Sequence, residues 1–100
     1  MEVAPDPQEP IGVRGVVQRN AGQLRYCYES RLKLVASLEG SVALGWSVRD
    51  GRVESVHTVS NDTGDPELAE CLMRKVRRWQ FPPDAEGDVP SWRFVFVAKD

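Results

Sequence analysis

Residues 42–60 form the part of the sequence that most constrains the fold, because they predict a β-hairpin. Apolar residues alternate with small or polar ones over 42–48, which is the period of a half-buried strand. Asp50-Gly51 follows, and this dipeptide suits a two-residue type I′ turn because both central residues need positive φ. On the return strand, over 52–60, valines recur every three residues. That spacing predicts a bulge or a twist near Ser55.

Helical periodicity flanks the hairpin on both sides. Before it, apolar residues recur at steps of three and four, predicting a helix over 21–36 that can extend back to residue 13. After it, Asp65-Pro66 predicts a capped helix start, and the proline pair that follows Phe81 predicts its stop. A polar loop over 84–90 then precedes a last strand. The order helix-strand-strand-helix-strand predicts an α+β fold, a three-stranded antiparallel sheet with two helices packed on one face.

Length and charge limit what such a chain can do. One hundred residues with 41% hydrophobic content correspond to one domain with a small core. Residues 1–12 contain three prolines and several acidic residues, so we expect a flexible linker there and a folded domain over 13–100. The net charge of −2 leaves no global basic field, and we expect no nucleic-acid partner. We interpret the sequence as a fragment, with any targeting or membrane segment upstream.

Two cysteines lie on the two predicted helices. Cys27 lies beside the apolar stripe of the first helix and Cys71 on that of the second, so the thiols can meet where both helices pack on the sheet. A disulfide there would stabilise the fold by about 4 kcal/mol, and two separate buried thiols are the alternative. Without a close-spaced cysteine pair, His57 cannot complete a zinc site. No catalytic motif occurs, so we expect no enzyme activity, no metal and no cofactor.

Two further features raise the question of binding. The run Arg74-Lys75 and Arg77-Arg78 complements the negative end of the second helix, or it forms a patch for an acidic partner. The last strand leaves unpaired N–H and C=O groups along the edge of a three-stranded sheet, and such an edge can template another strand. Arg93 and Lys99 could instead blunt that edge by their charge.

The chain resembles the TonB C-terminal domain over residues 13–97. The general part of the resemblance consists of E-G-x-V at 39–42 and D-G-x-V-x-x-V at 50–56. A narrower part consists of C-Y-E at 27–29, E-C at 70–71 and W-x-F-P at 79–82. These motifs resemble the myxobacterial branch associated with adventurous gliding, the AgmX/PglI C-terminal domain. The chain departs from that branch around Glu86-Gly87-Asp88 and Ser91-Trp92-Arg93, where relatives often carry a glycine run and a proline-aromatic segment.

The resemblance implies a disulfide between Cys27 and Cys71 and a periplasmic domain, tethered to an inner-membrane anchor by a long linker. Such domains couple an inner-membrane motor complex to outer-membrane proteins, and they recruit a partner peptide as an added strand along their last strand. Carried over by position, that edge comprises Ser91, Trp92, Arg93, Phe94, Val95, Phe96 and Val97. We therefore expect a non-enzymatic, TonB-like protein-interaction domain that acts in energy transduction, for gliding motility or envelope transport. The alternative is a scaffold or homodimerisation domain of an envelope complex that transmits no force.

Overall fold

A computed structural model describes residues 2–4 and 11–97 of the chain. Its elements, in chain order, are β1 (Glu2–Ala4), α1 (Ile11–Arg19), α2 (Ala21–Leu32), β2 (Gly40–Arg49), β3 (Arg52–Asn61), α3 (Pro66–Val76), a short 3-10 helix (Pro83–Ala85) and β4 (Gly87–Phe96). All strand pairs are antiparallel, in the order β1-β4-β2-β3. The α+β fold and the order of its main elements are as predicted. The three predicted strands form the body of the sheet, and β1 adds a fourth, short strand.

The β2–β3 hairpin confirms the predicted turn and the predicted bulge. Asp50 has φ 54° and Gly51 has φ 79°, so both central residues of the turn adopt the positive φ that type I′ requires. The β2–β3 register shifts twice along the pair, which leaves Glu54 and Val59 without an opposite residue on β2. The shift at Glu54 lies beside Ser55, where the valine spacing predicts it. Each bulge bends β3 and increases its local twist.

The predicted first helix is two helices, and it ends earlier than expected. The backbone N–H of Asn20 donates to the carbonyls of Val16 and Val17, at 3.1 and 3.2 Å, and its side-chain amide donates to the Val16 carbonyl at 2.9 Å. These bonds close α1, and α2 starts at the next residue. The prediction of helix up to residue 36 is wrong, because α2 stops at Leu32 and turns follow. Beyond that point Leu34 is 74% exposed, so a longer helix would bury little apolar surface.

The predicted loop over 84–90 is only partly a loop, because β4 already starts at Gly87. Gly87, Asp88 and Pro90 are typical loop residues, and they hide the strand from propensity-based reasoning. The β2–β4 register shifts between Leu44 and Trp46, opposite the segment that contains Pro90. A proline is tolerated at such a bulge because its missing N–H interrupts no regular ladder bond.

The helices cover one face of the sheet, and the core lies between the two layers. Trp46 is at the centre of an aromatic cluster, with its ring centroid 6.2 to 6.4 Å from those of Trp79, Phe81 and Trp92. At the other end of the core, the ring of Tyr28 stacks on Phe96. Each of these side chains is buried. The cluster therefore joins β2, β4 and the segment after α3 into one hydrophobic unit.

The segment predicted as a flexible linker contributes to the fold at both ends. Glu2–Ala4 forms β1, and α1 starts at Ile11, two residues before the predicted start of the domain. Residues 5–10 lie outside the described part of the chain. Within the described ranges, no helix is both long and apolar enough to cross a membrane.

Candidate strand-binding site

The predicted partner-binding segment, Ser91–Val97, lies almost entirely within β4. Trp92, Phe94 and Phe96 are buried in the core, and the residues between them are half-buried or exposed. This alternation anchors one face of the strand against the helices. Val97 follows the end of β4 and is 57% exposed. The apolar half of the segment therefore stabilises the fold, which leaves the main chain as the part available to a partner.

β4 pairs with β2 along one side and with the N-terminal strand along the other. On the β2 side, five successive pairs run from Gly40 with Phe96 to Leu44 with Trp92 without a register shift. On the outer side, the Cα atoms of Glu2, Val3 and Ala4 lie opposite Val95, Phe94 and Arg93. The structure here differs from the prediction of a free edge, because Arg93–Val95 already carries a strand of the same chain. Residues 91, 92 and 96 have no strand on that side in the described ranges.

The opposite edge of the sheet, the outer side of β3, offers no comparable regular stretch. At one end of β3, the backbone of Gln80 forms an isolated antiparallel β-bridge with Arg52. At the other end, the side-chain amide of Asn61 donates to the Asp65 carbonyl at 3.0 Å. Between these ends lie the bulges at Glu54 and Val59. Bulges interrupt the array of N–H and C=O groups that an incoming strand would need. β4 is therefore the more regular of the two edges.

The disulfide between Cys27 and Cys71 is present, and it joins α2 to α3. Two polar contacts made by side chains on the same face of α2 reinforce it. Gln23, which lies four residues before Cys27, accepts a hydrogen bond from the Trp79 indole N–H at 2.9 Å. Arg31, which lies four residues after Cys27, forms an ion pair with Asp65 at 2.8 Å. Because residues spaced by four share a helix face, the three links form one seam along the α2–α3 interface; we call it the helix seam.

Asp65 and Arg31 also illustrate how charge supports the helix seam. The Asp65 carboxylate accepts two bonds from the Arg31 guanidinium, at 2.8 and 3.2 Å, and one from the Glu67 backbone N–H at 3.1 Å. The hydrogen bond from its guanidinium to Asp65 raises the pKa of Arg31. Asp65 thus caps α3, as predicted, and ties that cap to α2.

A second acidic group, Asp62, lies directly after β3 and binds the start of β2. The Asp62 carboxylate accepts hydrogen bonds from the backbone N–H and from the hydroxyl of Ser41. Both bonds lower the pKa of Asp62, and the bond from the backbone has the larger effect. The positive charge of Arg93 lowers it further. Ser41 lies opposite Val95 in the β2–β4 register. The contact therefore steadies β2 beside the part of β4 that carries β1.

The side chains considered for catalysis, metal binding or an anionic partner do not come together at one site. Cys27 is buried in the disulfide, and His57 is exposed on β3. Within the described ranges, no three His, Cys, Asp or Glu side chains gather where they could hold a metal ion. The basic run divides, with Arg74 and Arg77 exposed away from the cavity that Lys75 and Arg78 line.

Sequence reasoning missed β1, and only a weak signal could have found it. A single valine stands between Glu2 and Ala4, and Pro5 follows at once. Three residues are too few for alternation to distinguish a strand from a loop. Comparison with known proteins adds no further assignment, because no family model, no curated protein and no solved structure matches this chain.

Proposed function

We propose that the chain is a protein-interaction domain that binds an extended segment of a partner as an added strand along the outer side of β4. In this proposal it acts as a TonB-like transducer in the periplasm, between an inner-membrane motor and outer-membrane proteins. Gliding motility or envelope transport would be the process served. The partner would occupy residues 91–97, and its main chain would provide most of the hydrogen bonds.

The pairing of β1 with β4 is the observation that carries the proposal. Three residues of the chain already add to Arg93–Val95 as an antiparallel strand. The edge is thus able to accept extended backbone, with the antiparallel geometry that strand addition uses. A partner segment of seven residues could pair along 91–97, more than twice the length that β1 covers, although β1 has the advantage of being tethered.

The disulfide supports the choice of compartment. Disulfides persist in oxidising environments such as the bacterial periplasm, and they are rare where glutathione and thioredoxin keep thiols reduced. Cys27 and Cys71 are bonded, and the structure contains no free cysteine within the described ranges. A domain of this size gains a large part of its net stability from such a bond.

Backbone NMR tests the strand-addition proposal. The ¹⁵N-labelled full chain and a variant lacking residues 1–9 would be titrated with synthetic peptides from periplasmic segments of outer-membrane proteins. A peptide of residues 1–9 serves as a probe of known register. We expect amide shifts to begin at residues 91–97, and the truncated variant to bind more tightly because β1 no longer competes. An Ala4→Pro version of the probe should bind poorly, since Ala4 lies opposite Arg93 and proline removes the main-chain donor that faces β4.

Three results would contradict the proposal. Shifts confined to residues 74–78 would place the partner on α3, and equal affinities for the full and truncated chains would show that β1 and the peptide use different sites. Sedimentation of the truncated chain as a dimer, with no peptide binding, would favour the scaffold or homodimerisation alternative.

A further inference from the structure

An open cavity of about 530 Å³ lies at the end of the helix pair where α2 begins and α3 ends. It collects residues that are distant in the sequence and that share a cationic or amide character: Arg19, Asn20, Gln23, Lys75, Arg78 and Gln80. None of the described residues that line it is acidic. The cavity shares no residue with the β4 edge, so what it binds does not depend on strand addition.

In the part of the chain that the structure describes, no acidic side chain pairs with the cations of the cavity. Elsewhere on the molecule, Arg31 and Arg49 form ion pairs with Asp65 and Glu54. Within the described ranges, neither Arg19 nor Arg78 forms an ion pair. The whole chain carries a net charge of −2, so this cluster is a local concentration and not a result of composition. Cations drawn together without counter-charges repel one another, and a bound anion relieves that repulsion.

Part of the cavity wall is fixed in place by hydrogen bonds. The Trp79 indole N–H donates to Gln23 Oε1 at 2.9 Å, and Gln23 Nε2 donates to Asn20 Oδ1 at 3.2 Å. Asn20 in turn donates to the Val16 carbonyl at 2.9 Å. The relay orients both amides. Lys75 is steadied as well, because its ammonium lies 5.4 Å from the centroid of the Tyr26 ring.

The helix ends themselves do not decide the sign of the site. The N-terminus of α2 favours an anion, whereas the C-termini of α1 and α3 favour a cation, so the helix ends by themselves do not make an anion site. The three side-chain cations therefore determine what binds. The guanidinium group of arginine can donate two parallel hydrogen bonds to one carboxylate, and Lys75 adds a third positive charge to the wall of the cavity.

We propose that this cavity binds an acidic peptide segment, with its carboxylates on Arg19 and Arg78. The volume exceeds what a single small oxyanion fills, and it falls within the range of pockets that bind larger ligands. The side-chain amide of Gln80 can hydrogen-bond the main chain of such a peptide, whereas a simple anion has no main chain to bind. The run of cations on α3 then has two functions, since Arg74 and Arg77 solvate the helix and Lys75 and Arg78 contribute to the site.

A matched pair of variants tests this proposal. Arg19→Gln/Arg78→Gln removes two charges from the cavity, and Arg74→Gln/Arg77→Gln removes two from the exposed part of the same region. The probe is an acetylated and amidated hexapeptide of alternating Glu and Ser, compared with its Gln-Ser analogue and with inorganic phosphate. We expect the cavity variant to lose at least about tenfold in affinity, as when charge-assisted hydrogen bonds are removed. The control variant should lose no more than about twofold to threefold, by weakened long-range attraction.

The indole resonance of Trp79 provides a readout that a general charge effect would not move. Its N–H is bonded within the cavity wall, whereas the indole N–H groups of Trp46 and Trp92 are buried without a partner in the described ranges. Binding should shift the Trp79 indole peak and leave the other two in place. Equal losses in both double variants would overturn the proposal, as would phosphate binding as tightly as the peptide. An unshifted Trp79 peak at saturating peptide would also overturn it. Unchanged amide spectra of the free variants would establish that both fold.

Discussion

The helix seam and the β1–β4 contact join neighbouring elements of the fold by very different means. At the helix seam, a disulfide, a hydrogen bond and a bidentate ion pair connect α2 to α3 and to the residues that flank it. At the β4 edge, the backbone of Glu2–Ala4 pairs with the strand over three residues. The first contact draws on covalent and side-chain links spread over nine residues of α2. The second depends on three residues near a chain terminus.

This difference separates a permanent frame from an exchangeable element. A short strand that pairs through its backbone can be replaced by another strand of similar length at little cost, because the hydrogen bonds lost are made again. A disulfide-linked helix pair has no such alternative partner. In the proposed strand addition, the frame stays intact while the strand on the outer side of β4 exchanges. The comparison predicts a large effect on stability from changes at the helix seam and a small one from changes at β1.

Removal of the disulfide should cause the largest loss. The bond closes a loop with a sequence separation of 44. For a loop of that length the chain-entropy account gives about 4 kcal/mol. We expect Cys27→Ser/Cys71→Ser to lower the free energy of unfolding by roughly that amount, measured by urea denaturation.

The wild-type chain under a reducing agent provides the matched control, because it lacks the bond and keeps both sulfur atoms. Its loss should agree with that of the double serine variant. A loss below about 1 kcal/mol in both cases would remove the distinction between frame and edge, since ordinary side-chain contacts would then be enough to hold the helices.

The N-cap of α3 should show the next largest effect. Asp65→Ala removes the acceptor for the Glu67 N–H and the partner of Arg31, and we expect it to cost about 1–2 kcal/mol. Asp65→Asn is the control, because asparagine caps helices well but carries no charge. It should retain most of the stability. If both variants lose the same amount in urea denaturation, the ion pair and not the cap stabilises this end of the seam.

Local signals in the sequence were enough to predict most of the helices and strands. The Asp50-Gly51 turn, the Asp65-Pro66 helix start and the alternation of apolar residues each depend on neighbours within a few positions. Cys27 lies beside the apolar stripe of the first helix and Cys71 on that of the second; the sequence left two separate thiols as an alternative, and the structure shows the two bonded. These features could be predicted because secondary structure, burial and turn chemistry all favour the same arrangement.

The pairing of β1, the end of α2 and the cavity could not be predicted, because they arise from contacts distant in the sequence. β1 exists only through its pairing with β4, more than eighty residues away in the chain. The helix end at Leu32 depends on the absence of a surface for Leu34 to pack on, which no local pattern reveals. The cavity likewise requires Arg19 to approach Arg78 through the packing of the helices. Tertiary context overrode local propensity in each case.

Disruption of β1 should have a smaller effect on stability and a clear effect on local exchange. We expect Ala4→Pro to change the free energy of unfolding by less than about 1 kcal/mol, which is no more than a typical hydrogen bond contributes. Amide hydrogen exchange at Arg93 and Val95 should nevertheless speed up, because their N–H groups face β1 and proline cannot continue the pairing. Ala4→Ser keeps the main-chain N–H and should leave exchange as in the wild type. Unchanged exchange in the proline variant would contradict an exchangeable β1.

The smallest expected effect is on how the free energy of unfolding depends on pH, and it comes from Asp62, which binds Ser41 at the start of β2. Because its pKa is lowered in the folded chain, Asp62 contributes stability above its ordinary value of 3.8, and this is lost as pH falls through the folded pKa. Between pH 5 and pH 2, Asp62→Asn should therefore lose stability less steeply than the wild type, as measured by urea denaturation at each pH. Asp88→Asn serves as the control, since Asp88 is exposed on β4 and accepts no side-chain hydrogen bond from a described residue. Equal slopes for Asp62→Asn and the wild type would mean that the bonds from Ser41 to the Asp62 carboxylate do not stabilise the fold.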